Sequence, residues 1–344
     1  MSKKRLIAYY LPQFHEIKEN NEWWGKGYTE WTAIKNWKPF FRNHIIRKPG
    51  VLGYYDLLEA EDTINLQYNI ASKYGIEGFC FWIYWFGNGE RLLEKPLLYL
   101  LKPENKVKFC FAWANHSWVD KSNNRVLKEQ KYLGSGDYEE FYRVHAEYFC
   151  SDNYIKKDNK LLLTVFMPQS IPDLQVFMDT LNKMAIKDGF DGFYFISNLS
   201  NLPLDTLNKF DAYMSTELFF KNRNLFQKIR ERLIKRYSCS FLGLVKYSYP
   251  KLMNNLFICK QNDERFIPNI FSGWDTTPRH KERGVILTDF NENTFEKHVI
   301  EIFNLKNVND FVFIKSWNEW AEGNLIEPDD IFGEKLLEII KKNN

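Results

Sequence analysis

The stretch Phe311-Val312-Phe313-Ile314-Lys315-Ser316-Trp317-Asn318-Glu319-Trp320-Ala321-Glu322-Gly323 joins an apolar run to a cluster of acids and indoles. Four consecutive β-favouring apolar residues read as a buried strand. In an α/β barrel, chemistry sits at the C-terminal ends of the strands, which is where Glu319 and Glu322 fall. Paired carboxylates cleave or form glycosidic bonds, and tryptophan faces stack on sugar rings. The segment therefore points to carbohydrate chemistry on a barrel.

Working outward, similar apolar runs occur at 6–11, 78–84, 108–114, 161–167, 192–197, 212–216 and 266–271, with the eighth at 311–315. Helical patterns separate most of them, at 57–74, 92–101, 137–150, 172–185, 225–236, 293–303 and 332–341. This alternation predicts an α/β fold, a (β/α)8 TIM-type barrel with long loops at its C-terminal face. A doubly wound sheet would show a Gly-rich phosphate turn after its first strand. Here that strand leads into Pro12-Gln13-Phe14-His15, without glycine. The 344 residues suit one catalytic barrel over 1–344, since such barrels need roughly 250 residues plus insertions.

The net charge of +3 is unevenly placed. Residues 221–260 hold ten Lys/Arg and one acid, Glu231, so +9 resides there and −6 on the rest. This predicts a basic helical insertion between strands 6 and 7. It reads either as a solvated hairpin or as a peripheral patch for an anionic membrane or a lipid-linked phosphate. Leu225, Phe226, Ile229, Leu233 and Ile234 recur near helical spacing among the charges, as an interfacial helix requires. No apolar run reaches the roughly 18 residues of a membrane span, and 6–10 is too short for a signal h-region. A cytoplasmic protein, peripheral to the inner face of the plasma membrane at most, is expected. The five cysteines are scattered without metal-ligand spacing, so neither metal nor cofactor is expected, nor a nucleic-acid partner.

All eleven tryptophans lie in 23–118 or 274–320, none in the 155 residues between. Strands 1, 2, 3, 7 and 8 become neighbours when a barrel closes, which would place the indoles on one side of the mouth. Trp24, Trp31, Trp85, Trp113, Trp274 and Trp320 are the candidate sugar platforms. In an extended chain Glu319 and Glu322 would be roughly 10 Å apart; a turn after strand 8 would bring them to roughly 5–6 Å. Gly273-Trp274-Asp275-Thr276-Thr277-Pro278-Arg279 offers Asp275 and Arg279 to sugar hydroxyls or an anion, or else forms a plain turn. Trp113-Ala114-Asn115-His116-Ser117-Trp118 adds Asn115 and His116. Asp56-Leu57-Leu58-Glu59 fits a capping box and is assigned to structure, while Glu217 past strand 6 stays unassigned.

Taken together, Tyr9-Tyr10-Leu11-Pro12-Gln13-Phe14-His15, Asn21-Glu22-Trp23-Trp24-Gly25-Lys26-Gly27-Tyr28-Thr29-Glu30-Trp31, Leu52-Gly53-Tyr54-Tyr55-Asp56, 273–279, 317–323 and Glu327-Pro328-Asp329 resemble the WbsX-like family of bacterial surface-polysaccharide clusters. That family is commonly labelled glycosyltransferase. It is similar to glycoside hydrolase family 99, the endo-α-mannosidases and mannanases with (β/α)8 barrels. The resemblance implies that Glu319 acts as base on the sugar's own 2-hydroxyl and Glu322 as acid/base, giving retention without a protein nucleophile. It also brings Tyr10, Gln13, Glu30, Trp31, Asn318 and Trp320 to the substrate. Relatives often carry Asn-Glu-Asn-Trp where this chain has Asn115-His116-Ser117-Trp118, so one carboxylate of that pattern is missing. The hydrolase family's own N-terminal motif is also poorly matched, so mannose specificity does not transfer.

The expected function is a retaining endo-glycosidase or transglycosidase acting on a bacterial surface polysaccharide of O-antigen or capsule type, or its lipid-linked precursor. The alternatives are a glycosyltransferase using a nucleotide-sugar donor and a glycan-binding barrel without turnover. The partner is accordingly an oligosaccharide or a lipid-linked glycan.

Overall fold

The computed structural model describes residues 3–59, 62–120, 123, 125–215, 225–237, 243–254 and 262–344. Eight parallel strands form its centre: β1 (Arg5–Tyr10), β2 (Ile76–Trp85), β3 (Phe109–Trp113), β4 (Lys160–Val165), β5 (Phe193–Ser197), β6 (Ala212–Met214), β7 and β8 (Phe311–Ile314). The seventh is split by Pro268 into Phe266–Ile267, which pairs with β6, and Asn269–Ile270, which pairs with β8. Proline lacks the N–H that a ladder needs, yet its carbonyl still accepts from Phe313 N at 3.0 Å. With β1 lying between β2 and β8, the ring closes apart from that break. The expected barrel is the observed one.

Its lining follows the strand period of two. Tyr9 points inward, stacks on Trp82 at 4.8 Å and donates to Asn198 at 3.0 Å. Tyr10 points the opposite way and donates to Gln67 at 2.6 Å. Cys80 and Cys110 face each other in register on β2 and β3, buried and unpaired as disulfides.

The helices begin with two the periodicity did not single out, α1 (Lys18–Trp24) and α2 (Glu30–Lys35), both between β1 and β2. Then come α3 (Thr63–Lys73), α4 (Ser135–Phe149), α5 (Leu174–Lys187), α6 (Leu204–Leu207), α7 (Leu225–Tyr237), α8 (Tyr249–Met253), α9 (Thr277–His280), α10 (Glu292–Phe303) and α11 (Lys335–Asn343). The 92–101 pattern is a 3-10 helix, Lys95–Leu101. The helix expected from residue 57 starts only at Thr63. Asp56 caps a separate turn, accepting from Leu58 N at 2.7 Å and Glu59 N at 3.3 Å.

Between β6 and β7 the chain forms α7, and Val245–Ser248 then pairs with Val285–Thr288 as a small parallel sheet beside the barrel mouth. Glu217 and residues 221–224, 238–242 and 255–260 of the basic segment lie outside the described residues. Among the described residues no helix is long and apolar enough to cross a membrane.

Candidate active site

Three loops at the C-terminal ends of β1, β7 and β8 converge on one guanidinium. Glu30 opens α2, whose start is fixed by Glu30 N donating to Gln13 O at 3.1 Å and by the Thr29 and Thr32 capping box. Arg279 sits on α9. It donates to Glu30 at 2.8 and 3.0 Å and to Glu322 at 2.7 Å, and lies 4.0 Å from Glu319 Oε2. Burial works against the Arg279 charge, but Glu30, Glu322 and Glu319 outweigh it and raise its pKa.

The turn that carries the acid pair is held at both ends. Ser316 Oγ accepts from Asn318 N at 3.1 Å and Glu319 N at 2.9 Å, and Trp317 N donates to Tyr9 O at 2.7 Å. Trp320–Glu322 is one 3-10 turn, ended by Gly323 at φ +60. A Cβ at Gly323 would lie 2.8 Å from Asp275 N, which itself donates to Glu322 O at 2.7 Å. Glycine is needed there for the left-handed backbone and for the close approach of the β7 loop.

Glu319 faces the mouth, with its side chain 16% exposed. No donor among the described residues hydrogen-bonds its carboxylate. Burial, reinforced by Glu322 and opposed by Arg279, pushes its pKa up to about 8. This shift favours the protonated Glu319, beside a Glu322 engaged in an ion pair. The Tyr84 hydroxyl is raised by burial and then by Glu319, which puts this half-buried phenol in the field of the acid pair. Trp118 meets Tyr84 edge-on at 5.2 Å, and Trp23 meets Trp118 at 5.7 Å. Strand alternation could have pointed to this wall, since Trp82 and Tyr84 share one face of β2 and Trp85 takes the other.

Several expected contact residues prove to be supports. Trp85 and Trp113 point outward beneath α4 and α5, packed on Phe141, and their indole N–H groups bond Asp137 at 3.1 Å and Trp85 O at 3.0 Å. Trp31 donates to Tyr55 O at 2.7 Å and Trp320 to Glu327 at 2.7 Å, both within the core. Tyr10 is fully buried against Gln67. Asn318 ties Leu11 N and O, and Asn115 ties Met167 N and O. Asp275 is occupied by Thr277 and by His44 Nε2 at 2.7 Å. Glu30, 2% exposed, is taken up by Arg279 and by Ala321 N at 3.1 Å. A buried polar group must find a partner, and here the partners are internal. Gln13, His116 and Trp274 remain half-buried, and Trp24 is 45% exposed.

Two charged hubs lie outside the site residues expected from the sequence. Arg47, from the long loop between β1 and β2, donates to Ser272 O and Gly323 O at 2.8 Å and to Leu325 O at 2.9 Å. It thereby clamps the β7 loop to the β8 loop. Glu327 accepts from Gln67 at 2.7 Å, Trp320 at 2.7 Å and Tyr55 at 3.0 Å. Burial still raises its pKa to about 7 against those three donors.

Comparison with known proteins agrees with this architecture. The family model described as Glycosyltransferase WbsX matches residues 6–340. The protein WxcX of Xanthomonas campestris pv. campestris, in two strains, is 30% identical over 98% of this chain. The chain spans about half the length of these curated relatives, 49%. Among solved structures, a glycoside hydrolase-like protein shares the fold at TM-score 0.61 and 16% identity, covering 100% of this chain and 94% of its own. A GH99 endo-α-mannosidase from Bacteroides thetaiotaomicron does so at TM-score 0.55 and 14% identity, over 99% and 96%. At these identities the structural likeness speaks for the fold, while the sequence match speaks for kinship. The chain belongs to the Glycosyltransferase WbsX family.

Proposed function

We propose that this chain, acting as a single catalytic barrel, breaks and re-forms a glycosidic bond with retention, on a bacterial surface polysaccharide or its lipid-linked precursor. The observation that carries this reading is the convergence of Glu30, Glu319 and Glu322 on Arg279, in which the Glu319 carboxylate has no hydrogen bond from any described residue. An enzyme that joins or trims such a glycan during assembly would act in the cytoplasm.

In the proposed course Glu319 takes the proton of the sugar 2-hydroxyl as O2 attacks C1. Glu322 gives a proton to the departing oxygen as the C1–O bond breaks. The resulting 1,2-anhydro sugar is opened at C1 by water or a sugar hydroxyl deprotonated by Glu322, and Glu319 returns the proton to O2. This substrate-assisted scheme replaces a protein nucleophile. In the free site the proton rests on Glu319 while Arg279 pairs with Glu322. The reactive arrangement therefore needs the proton moved from Glu319 to Glu322.

The rate should follow a bell in pH, falling on the alkaline side near 8 as the proton held at Glu319 is lost. Product anomers formed by the wild type and by Glu319→Gln and Glu322→Gln on the cognate glycan test the assignment. Retention with both variants inactive is expected; full activity in either one refutes it. A second reading, transfer from a nucleotide-sugar donor, is favoured by the family's description as glycosyltransferases. Calorimetric titration with nucleotide sugars separates the two, because only the second requires donor binding.

A further inference from the structure

Helix α7 is the most cationic element of the described chain, and four of its apolar side chains are on the outside. Leu225 is 70% exposed, Phe226 84%, Ile229 49% and Leu233 39%. The spacing i, i+1, i+4, i+8 places all four on one stripe. Lys228, Arg230 and Arg232 are exposed on the same helix. The opposite face is anchored: Ile234 is fully buried, and Glu231, 4% exposed, meets the Tyr247 hydroxyl. Arg230 also donates to Leu244 O at 3.2 Å. The anchored face sits on Lys281–Arg283, the turn that directly follows α9 and Arg279.

A water-facing helix normally hides its apolar stripe and shows its charges. Here the apolar stripe and the cations are both displayed, so the helix suits a surface that is greasy beneath and anionic above. We propose that α7 docks the enzyme on an anionic bilayer surface, with Leu225, Phe226, Ile229 and Leu233 entering the headgroup boundary while the cations meet lipid phosphates. Charge complementarity selects this occupant. Residues 221–260 carry +9 against −6 for the remainder, a polarity that would orient the molecule on a negative surface. Because α7 packs beside the Arg279 loop, docking would bring the barrel mouth near the membrane, where lipid-linked glycans are held. The surface proposal itself stands whether or not Glu319 and Glu322 are the reacting acids.

Flotation of the full chain with phosphatidylcholine vesicles, with and without phosphatidylserine, tests it. Binding only to the serine-containing vesicles is expected, weakening with salt. Lys228→Glu with Arg232→Glu should cut partitioning by roughly fivefold or more per charge. Leu225→Ser with Phe226→Ser should cut it by roughly tenfold or more at unchanged net charge. All four positions are exposed, so unfolding midpoints should stay at the wild-type value. Equal binding to neutral vesicles, no binding at all, or full binding by the apolar variant overturns the proposal. So does a wild-type dimer in gel filtration that becomes monomeric in the apolar variant, since the stripe would then cover a second copy of this chain.

Discussion

Glu319 and Glu327 come from the same loop, are both set into the barrel, and both hold protons more tightly than a solvated carboxylate, to about 8 and about 7. The two differ in company. Glu327 is 2% exposed and is met by three donors, so its negative charge is used in place. The Glu319 carboxylate has a cation at 4.0 Å and no hydrogen bond from a described residue, and one side opens to the mouth. Burial alone raises both pKa values and does not tell them apart. The hydrogen bonds do: a carboxylate with full partners fastens a structure, and one left short of partners is available to a substrate.

The sharpest test of that contrast is turnover. Glu319→Gln should lower kcat by roughly 10²–10⁴-fold, the usual scale for losing a general base, with the fold intact by circular dichroism. Glu327→Gln should keep kcat within roughly tenfold but lose stability by about 1–3 kcal/mol in urea unfolding, because its amide cannot accept from all three donors. The reverse pattern would break the comparison.

A smaller effect sharpens it through pH. An acid whose folded pKa is raised contributes stability below its unfolded value near 4.5, and that contribution is lost as pH rises through the folded pKa. Glu327 should lose its share up to about 7, and Glu319 up to about 8. Unfolding midpoints from pH 5 to 9 should therefore fall less in Glu319→Gln than in the wild type, and the variant should be the more stable protein at pH 8. An inactive yet stabilised variant would mark Glu319 as a group held for chemistry at the expense of folding.

The smallest expected effect tests the turn. Gly323→Ala introduces a Cβ 2.8 Å from Asp275 N at φ +60, and should cost about 1–3 kcal/mol. It should also displace Glu322, which kcat would register together with the unfolding midpoint.

Much of this was legible from period and composition. All eight strands were marked by short apolar runs, because a strand covered on both faces has no polar alternation to obscure it. The break at Pro268 was not, since a run through proline looks continuous until each half finds a different neighbour. The indoles were misread for a related reason. Trp85 and Trp113 end their strands, but their parity sends them outward under α4 and α5. Parity, rather than nearness to a strand end, would have picked Tyr84. Helices α1 and α2 escaped notice because seven and six residues are too few to show a period. Arg47 gave no signal of its own: most of the partners it clasps are backbone carbonyls, and its acidic partner, Asp329 at 3.4 Å, lies 282 positions away.

That clasp has a consequence for how the enzyme comes into being. Arg47 binds carbonyls 225 to 278 positions downstream, and Glu30 meets Arg279 from 249 positions away. Contacts of such separation carry a large loop-closure cost and form late. A nascent chain that has emerged only through β6 would have neither partner, so it could fold its first strands and helices without assembling a reactive centre. Competence would then arrive in one step, once the β7 and β8 loops are in place.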